Sequence, residues 1–180
     1  MVIHHYTDRK EKLDTKFSTL NIKKNCIFWT GTLFNHIDNE YKCYRNRIEI
    51  YNKLQNIYPD IIYNPGKLKY TSFLNEMNKC KFSLDLLGIG CPNMRTFEIL
   101  STNSLRIAQY SNLTYPFEEK FSEETIFKDE NDYFIKISNL INDDDLYNKC
   151  LKNQQNIVNK YFNKTWIKNY TLFNIIQYYC

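Results

Sequence analysis

Residues 81–109 read KFSLDLLGIGCPNMRTFEILSTNSLRIAQ, and the reading of the fold starts from them. The stretch opens with an apolar run over residues 82–87, the length of a buried strand. It breaks at Gly88-Ile89-Gly90-Cys91-Pro92-Asn93, which holds two of the chain's four glycines. Asn93 is a favoured helix N-cap. Met94, Phe97, Ile99 and Leu100 then fall mostly on one side of a short helix over residues 94–100. Thr102-Asn103-Ser104 ends that helix, and residues 105–108 read as a second buried strand. Strand, glycine loop, helix and strand make one unit of a parallel α/β sheet.

Such a unit gathers backbone N–H groups and a helix start at the carboxyl end of a strand, where phosphates and other anions are favoured. Arg95 stands in the first helical turn. A cation gains nothing from the dipole there, so its guanidinium is suited to meet a phosphate or a carboxylate. Glu98 lies three residues on, on the same face. A carboxylate in that place accepts hydrogen bonds from a vicinal diol such as a ribose. Read without a ligand, Arg95 and Glu98 are a surface i,i+3 ion pair and the glycines make a turn. Both readings fit the residues alone.

The run GIGCPNMRTFEIL, followed by a short strand, resembles the carboxyl-terminal, nucleotide-sugar-binding domain of GT-B glycosyltransferases. It looks most like the group-1 families that carry R-x-F-E on the helix after the glycine loop. The likeness extends over about residues 25–168 and covers one half of a two-domain enzyme. It implies a Rossmann-like parallel sheet flanked by helices over residues 25–180, ending in a helix, with residues 1–24 as an amino-terminal arm. It also implies that a nucleotide-sugar is bound and a hexose transferred. Glu98 then holds the ribose, and Gly88, Gly90, Asn93 and Arg95 face the diphosphate and sugar. Thr30, Gly31 and Thr32, in the turn after the first strand, stand where phosphate contacts are expected. The common motif has a second glutamate seven residues ahead of the first, where this chain has Cys91; Asp85 is the nearest upstream carboxylate. Transfer would be displacement at an anomeric carbon, with Arg95 and Lys81 neutralising the leaving diphosphate. The donor is a substrate, and no metal ion or other cofactor is expected. The acceptor site would come from a partner chain or a second copy. The alternative is an inactive GT-B-like interaction module that works through its aromatic carboxyl-terminal helix.

The rest of the composition narrows the classes. A chain of 180 residues has the size of one domain and can bury a sizeable core. Its net charge of +4 comes from scattered lysines, without the stripe that nucleic-acid binders gather, so no nucleic-acid role is expected. No apolar run approaches the ~20 residues of a membrane span. Six cysteines show no CxxC or metal spacing, and Cys26 and Cys80 adjoin apolar strands as core thiols. No signal-peptide pattern opens the sequence, and a reducing, cytoplasmic setting is expected. His4-His5 lack a third ligand nearby and read as solvated rather than as a metal site. No GxSxG, P-loop or HExxH motif occurs.

Outward from the central unit, residues 25–34 read as a first strand ending at Gly31. Residues 41–56 form an amphipathic helix on Tyr44, Ile48, Tyr51 and Leu54, with Arg45 and Arg47 on its polar sides. Residues 60–63 read as a short strand closed by Asn64-Pro65-Gly66, and residues 68–70 as a further short piece. Thr71 or Ser72 is expected to cap a helix through Asn78. Thr125-Ile126-Phe127 reads as the last strand and residues 132–141 as a helix. Asp143-Asp144-Asp145 starts the next helix, through Phe162, and an aromatic-rich helix is expected over residues 165–179.

Overall fold

The computed structural model describes residues 24–31, 42–87, 94–111 and 119–162. Among them five strands form one all-parallel sheet: β1 (Lys24–Phe28), β2 (Ile62–Tyr63), β3 (Cys80–Asp85), β4 (Leu105–Gln109) and β5 (Ile126–Phe127). Their order is β2-β1-β3-β4-β5. The chain therefore steps from β1 to one side and returns to build on the other. This is a doubly wound order with its switch point between β1 and β3. The α/β, Rossmann-like fold expected from the sequence is the fold observed.

Helices cover both faces. On one face, α1 (Lys42–Ile57) and α4 (Glu130–Asn142) bury Leu54, Tyr133, Ile137 and Leu140 against Ile27, Phe82, Leu84 and Ile107 of the sheet. On the other, α2 (Tyr70–Asn78) and α3 (Met94–Leu100) place Phe73, Leu74, Met77 and Ile99 against Cys26 and Phe28. Each fully buried aliphatic side chain contributes about 1.5–3 kcal/mol. Cover on both faces explains why residues 82–85 of β3 are all buried, in a continuous run rather than in alternation. The longest helix among the described residues, α5 (Asp144–Tyr161), spans both sides: Tyr147 and Cys150 join the first core, and Ile157, Val158 and Tyr161 pack with Phe97 and Leu100 of α3.

Local chemistry sets the element ends. Asp129 caps α4 by accepting from the Asp132 amide at 2.9 Å, and Asp143 caps α5 by accepting from Leu146 at 2.9 Å. Asp144 and Asp145 then fall in the first turn of α5, where the dipole favours acids. The turn after β2 closes with Asn64 Oδ1 accepting from the Gly66 amide at 3.1 Å. Gly66 has φ +72°, which an L side chain rarely adopts.

Several details differ from the sequence reading, which also carried the first strand past Phe28, where β1 ends. Residues 68–70 are not a strand: Tyr70 opens α2, with Lys69 in the cap position making no side-chain cap bond. Thr71 and Ser72 lie inside the first turn, one step too late to cap it. Thr125 belongs to a short 3-10 turn (Glu123–Thr125), and β5 begins after it.

The start of β4 is held by a helix side chain. Gln154 of α5 donates through Nε2 to the Ser104 carbonyl and accepts through Oε1 from the Arg106 amide, each at 2.9 Å. Ser83 and Ser104, both buried, pair their hydroxyls at 2.8 Å between β3 and β4.

Candidate functional site

The carboxyl ends of β1 and β2 and the start of α3 meet at the switch point, where open α/β sheets take their ligands. A cavity of about 810 Å³ opens there, lined by Thr30, Gly31, Asn64, Gly66, Lys67, Leu68, Tyr70, Phe73, Arg95 and Glu98. Four residues expected from the sequence, Thr30, Gly31, Arg95 and Glu98, are thus brought together. Gly88, Gly90, Asn93 and Thr32 lie outside the described residues, as do the amino-terminal arm, His4-His5 and the expected carboxyl-terminal helix.

Arg95 is the hub. Its Nη2 donates to the Thr30 carbonyl at 2.8 Å, which ties α3 to the end of β1. Its Nη1 stands 3.4 Å from Glu98 Oε2, yet is buried without a hydrogen bond of its own. The guanidinium carbon lies 4.4 Å from the centre of the Phe73 ring, a cation–π contact. Burial pulls the Arg95 pKa below the ordinary guanidinium value; Glu98 and Asp85 oppose that, and Arg47 adds to it. Arginine stays charged at neutral pH all the same. The site therefore holds a fixed positive fork beside a mostly buried carboxylate. Tyr70, partly exposed, has its ring centre 6.1 Å from that of Phe73. With Leu68 it gives the cavity an apolar flank.

Gly31 is required by packing. A Cβ there would stand 2.6 Å from the Trp29 indole. Trp29 itself packs on Tyr51 at 4.6 Å between ring centres, and the Tyr51 hydroxyl accepts from Asn64 at 3.2 Å.

Lys81 does not join this group. It is the second residue of β3, and the cleft lies beyond that strand's other end. Four residues of strand, about 13 Å, separate it from Asp85. Its ammonium donates to Asp144 at 2.8 Å and sits 5.0 Å from the centre of the Tyr147 ring. A part for Lys81 beside Arg95 is therefore dropped: nearness to the loop in sequence misled, because the strand points it to the opposite end.

Asp85 is likewise committed elsewhere. It is buried and accepts from Arg106 Nε at 2.6 Å and from Thr96 Oγ1 at 2.8 Å. This upstream carboxylate does not line the cavity.

One residue the sequence reading passed over is Arg47 of α1. Its Nε donates to the Leu87 carbonyl at 2.6 Å and its Nη2 to that of Leu86 at 3.3 Å. Gln109, the last residue of β4, accepts from the Leu87 amide at 3.1 Å. The exit of β3 is thus pinned from both sides just before the glycine loop starts. In the sequence Arg47 is one arginine on a polar helix side, and nothing there signals its reach.

A smaller cavity of about 510 Å³ lies past β4 and β5, among Glu49, Lys53, Gln109, Lys128 and Glu130. It is away from the switch point, and Lys53 and Glu130 already pair across it. Among the described residues no three His, Cys, Asp or Glu side chains gather as a metal cluster, and no helix is long and apolar enough to cross a membrane. Comparison with protein-family models, curated proteins and solved structures returns no match.

Proposed function

We propose that this chain is a GT-B-like glycosyltransferase domain that holds a nucleoside diphosphate sugar in the switch-point cavity. Glu98 takes the ribose hydroxyls, and Arg95 takes the diphosphate and steadies it as the leaving group when a hexose is transferred. The acceptor half comes from a partner chain or a second copy. The observation that carries this reading is the pairing of Arg95 and Glu98 on one short helix, facing one cavity with Thr30 and Gly31 at the end of β1. The Arg95 guanidinium brings positive charge to the cavity wall, and the Tyr70 and Leu68 flank suits a planar base.

Thermal unfolding with uridine, guanosine and adenosine diphosphates and their hexose conjugates tests the reading. A ligand at a hundred times its dissociation constant adds ~2.7 kcal/mol of stability. At least one nucleotide should raise the midpoint for the unaltered protein and fail to do so for Glu98→Gln. If none shifts it at millimolar concentration, the reading is wrong.

A further inference from the structure

Cys26 of β1 and Cys80 of β3 face one another across the strand pair that flanks the switch point, at the end away from the cavity. Their sulfurs are 3.1 Å apart, with Cys26 donating to Cys80 and Cys80 donating to the Glu76 carbonyl at 3.4 Å. A disulfide needs about 2.05 Å, so closing the gap takes a shift of about 1 Å. The backbone helps. The register between β1 and β3 slips here, Lys24 pairing with Cys80 and Ile27 with Phe82. Three steps along β1 match two along β3, and such an irregularity re-aims the side chains beside it.

Exposure favours Cys26 over the fully buried Cys80 as the sulfur that a peroxide meets first. The hydrogen bond between the two thiols and the charge of Lys24 hold the Cys26 pKa below the ordinary thiol value against the opposing effect of burial. The bond with Cys26 and burial push Cys80 up. Cys26 keeps 8% of its surface exposed where Cys80 has 0%, and Lys24 and Asn25 beside it are exposed. Cys150 offers the contrast: its thiol donates to the Ser122 hydroxyl at 3.3 Å, and burial raises its pKa.

From this arrangement we propose that Cys26 and Cys80 are a modification site, a dithiol that a peroxide converts to an intramolecular disulfide. The Cys26 thiolate attacks one peroxide oxygen; an S–O bond forms, the O–O bond breaks, and hydroxide leaves and is protonated to water. The Cys80 sulfur then attacks the sulfenic sulfur. The S–S bond forms, the S–O bond breaks, and the departing hydroxide takes the Cys80 proton as a second water. Two thiols lose two electrons, and one peroxide becomes two waters. The link joins β1 to β3 and closes a loop that contains α1, β2 and α2, restricting the unfolded chain. The proposal stands apart from the nucleotide-sugar reading.

Hydrogen peroxide is the probe. The folded, reduced protein is treated with it, excess peroxide is removed with catalase, and remaining thiols are alkylated in denaturant before peptide mass spectrometry without reductant. Two of the six cysteines should escape alkylation, found as one Cys26–Cys80 peptide pair that separates on reduction. The oxidised protein should also unfold at higher urea concentration than the reduced. A variant with Cys43, Cys91, Cys150 and Cys180 all changed to serine should form the same link. Recovery of both Cys26 and Cys80 as alkylated thiols overturns the proposal. So does a sulfinic acid at Cys26 without a link, or the absence of the link in the four-serine variant.

Discussion

At the carboxyl end of β3, Arg106 meets Asp85 at 2.6 Å with side chains 12% and 4% exposed; beside it on α3, Arg95 stands 3.4 Å from Glu98 with 24% and 13% exposed. The pairs are neighbours, since Thr96, next to Arg95 in the chain, donates to Asp85. They use the same two chemical groups to different ends. Asp85 takes two short hydrogen bonds in the core, and the Arg106 guanidinium also lies 5.6 Å from the centre of the Phe121 ring. That pair closes on itself. Arg95 gives one donor to the Thr30 carbonyl, leaves its buried Nη1 without a hydrogen bond, and lines a cavity. The difference teaches that the spacing of charges in a sequence does not separate a structural pair from a receptive one; burial and the count of satisfied atoms do.

The largest test breaks the closed pair. Arg106→Met leaves Asp85 buried without its cation and should lower unfolding free energy by about 3–5 kcal/mol, read from urea midpoints. Adding Asp85→Leu to the same chain should return much of that loss, because no unpaired charge remains. If the double variant is as unstable as the single, the pair is not self-contained. Gly31→Ala probes the wall of the open site. Its methyl meets the Trp29 ring, and about 1–3 kcal/mol should be lost, with a change in tryptophan fluorescence. The smallest effect on stability belongs to the open pair itself. Glu98→Gln, which keeps a polar side chain of the same shape, should cost about 1–2 kcal/mol while removing the nucleotide-induced rise in melting temperature. A loss as large as that for Arg106→Met would make Glu98 a structural residue and erase the contrast.

Much of the architecture was legible because periodicity and turn chemistry agree. The apolar run before Gly88, the 94–100 helix and the strand after Ser104 appear as β3, α3 and β4 with shifts of one or two residues. The acids at 143–145 open α5 for the electrostatic reason given. Within the candidate site, Arg95 and Glu98 were readable because a helix fixes the relation of residues three apart. Thr30 and Gly31 were readable because parallel strands end together. Lys81 was misplaced because a strand carries residues ~3.3 Å apart and away from the loop they precede. Asp85 and Arg106, and Arg47 with the Leu86 and Leu87 carbonyls, are partners 21, 39 and 40 residues apart. No local rule links such pairs; only the packed sheet does.

The bond from Gln154 to the edge of β4 has a consequence for how the chain is made. Ser104 and Arg106 leave the ribosome some 50 residues before the amide that completes them. At about 5–20 residues per second this is an interval of about 2.5–10 s. Throughout it these two peptide groups lack their partner from α5, so the start of β4 is completed only when most of α5 has been synthesised.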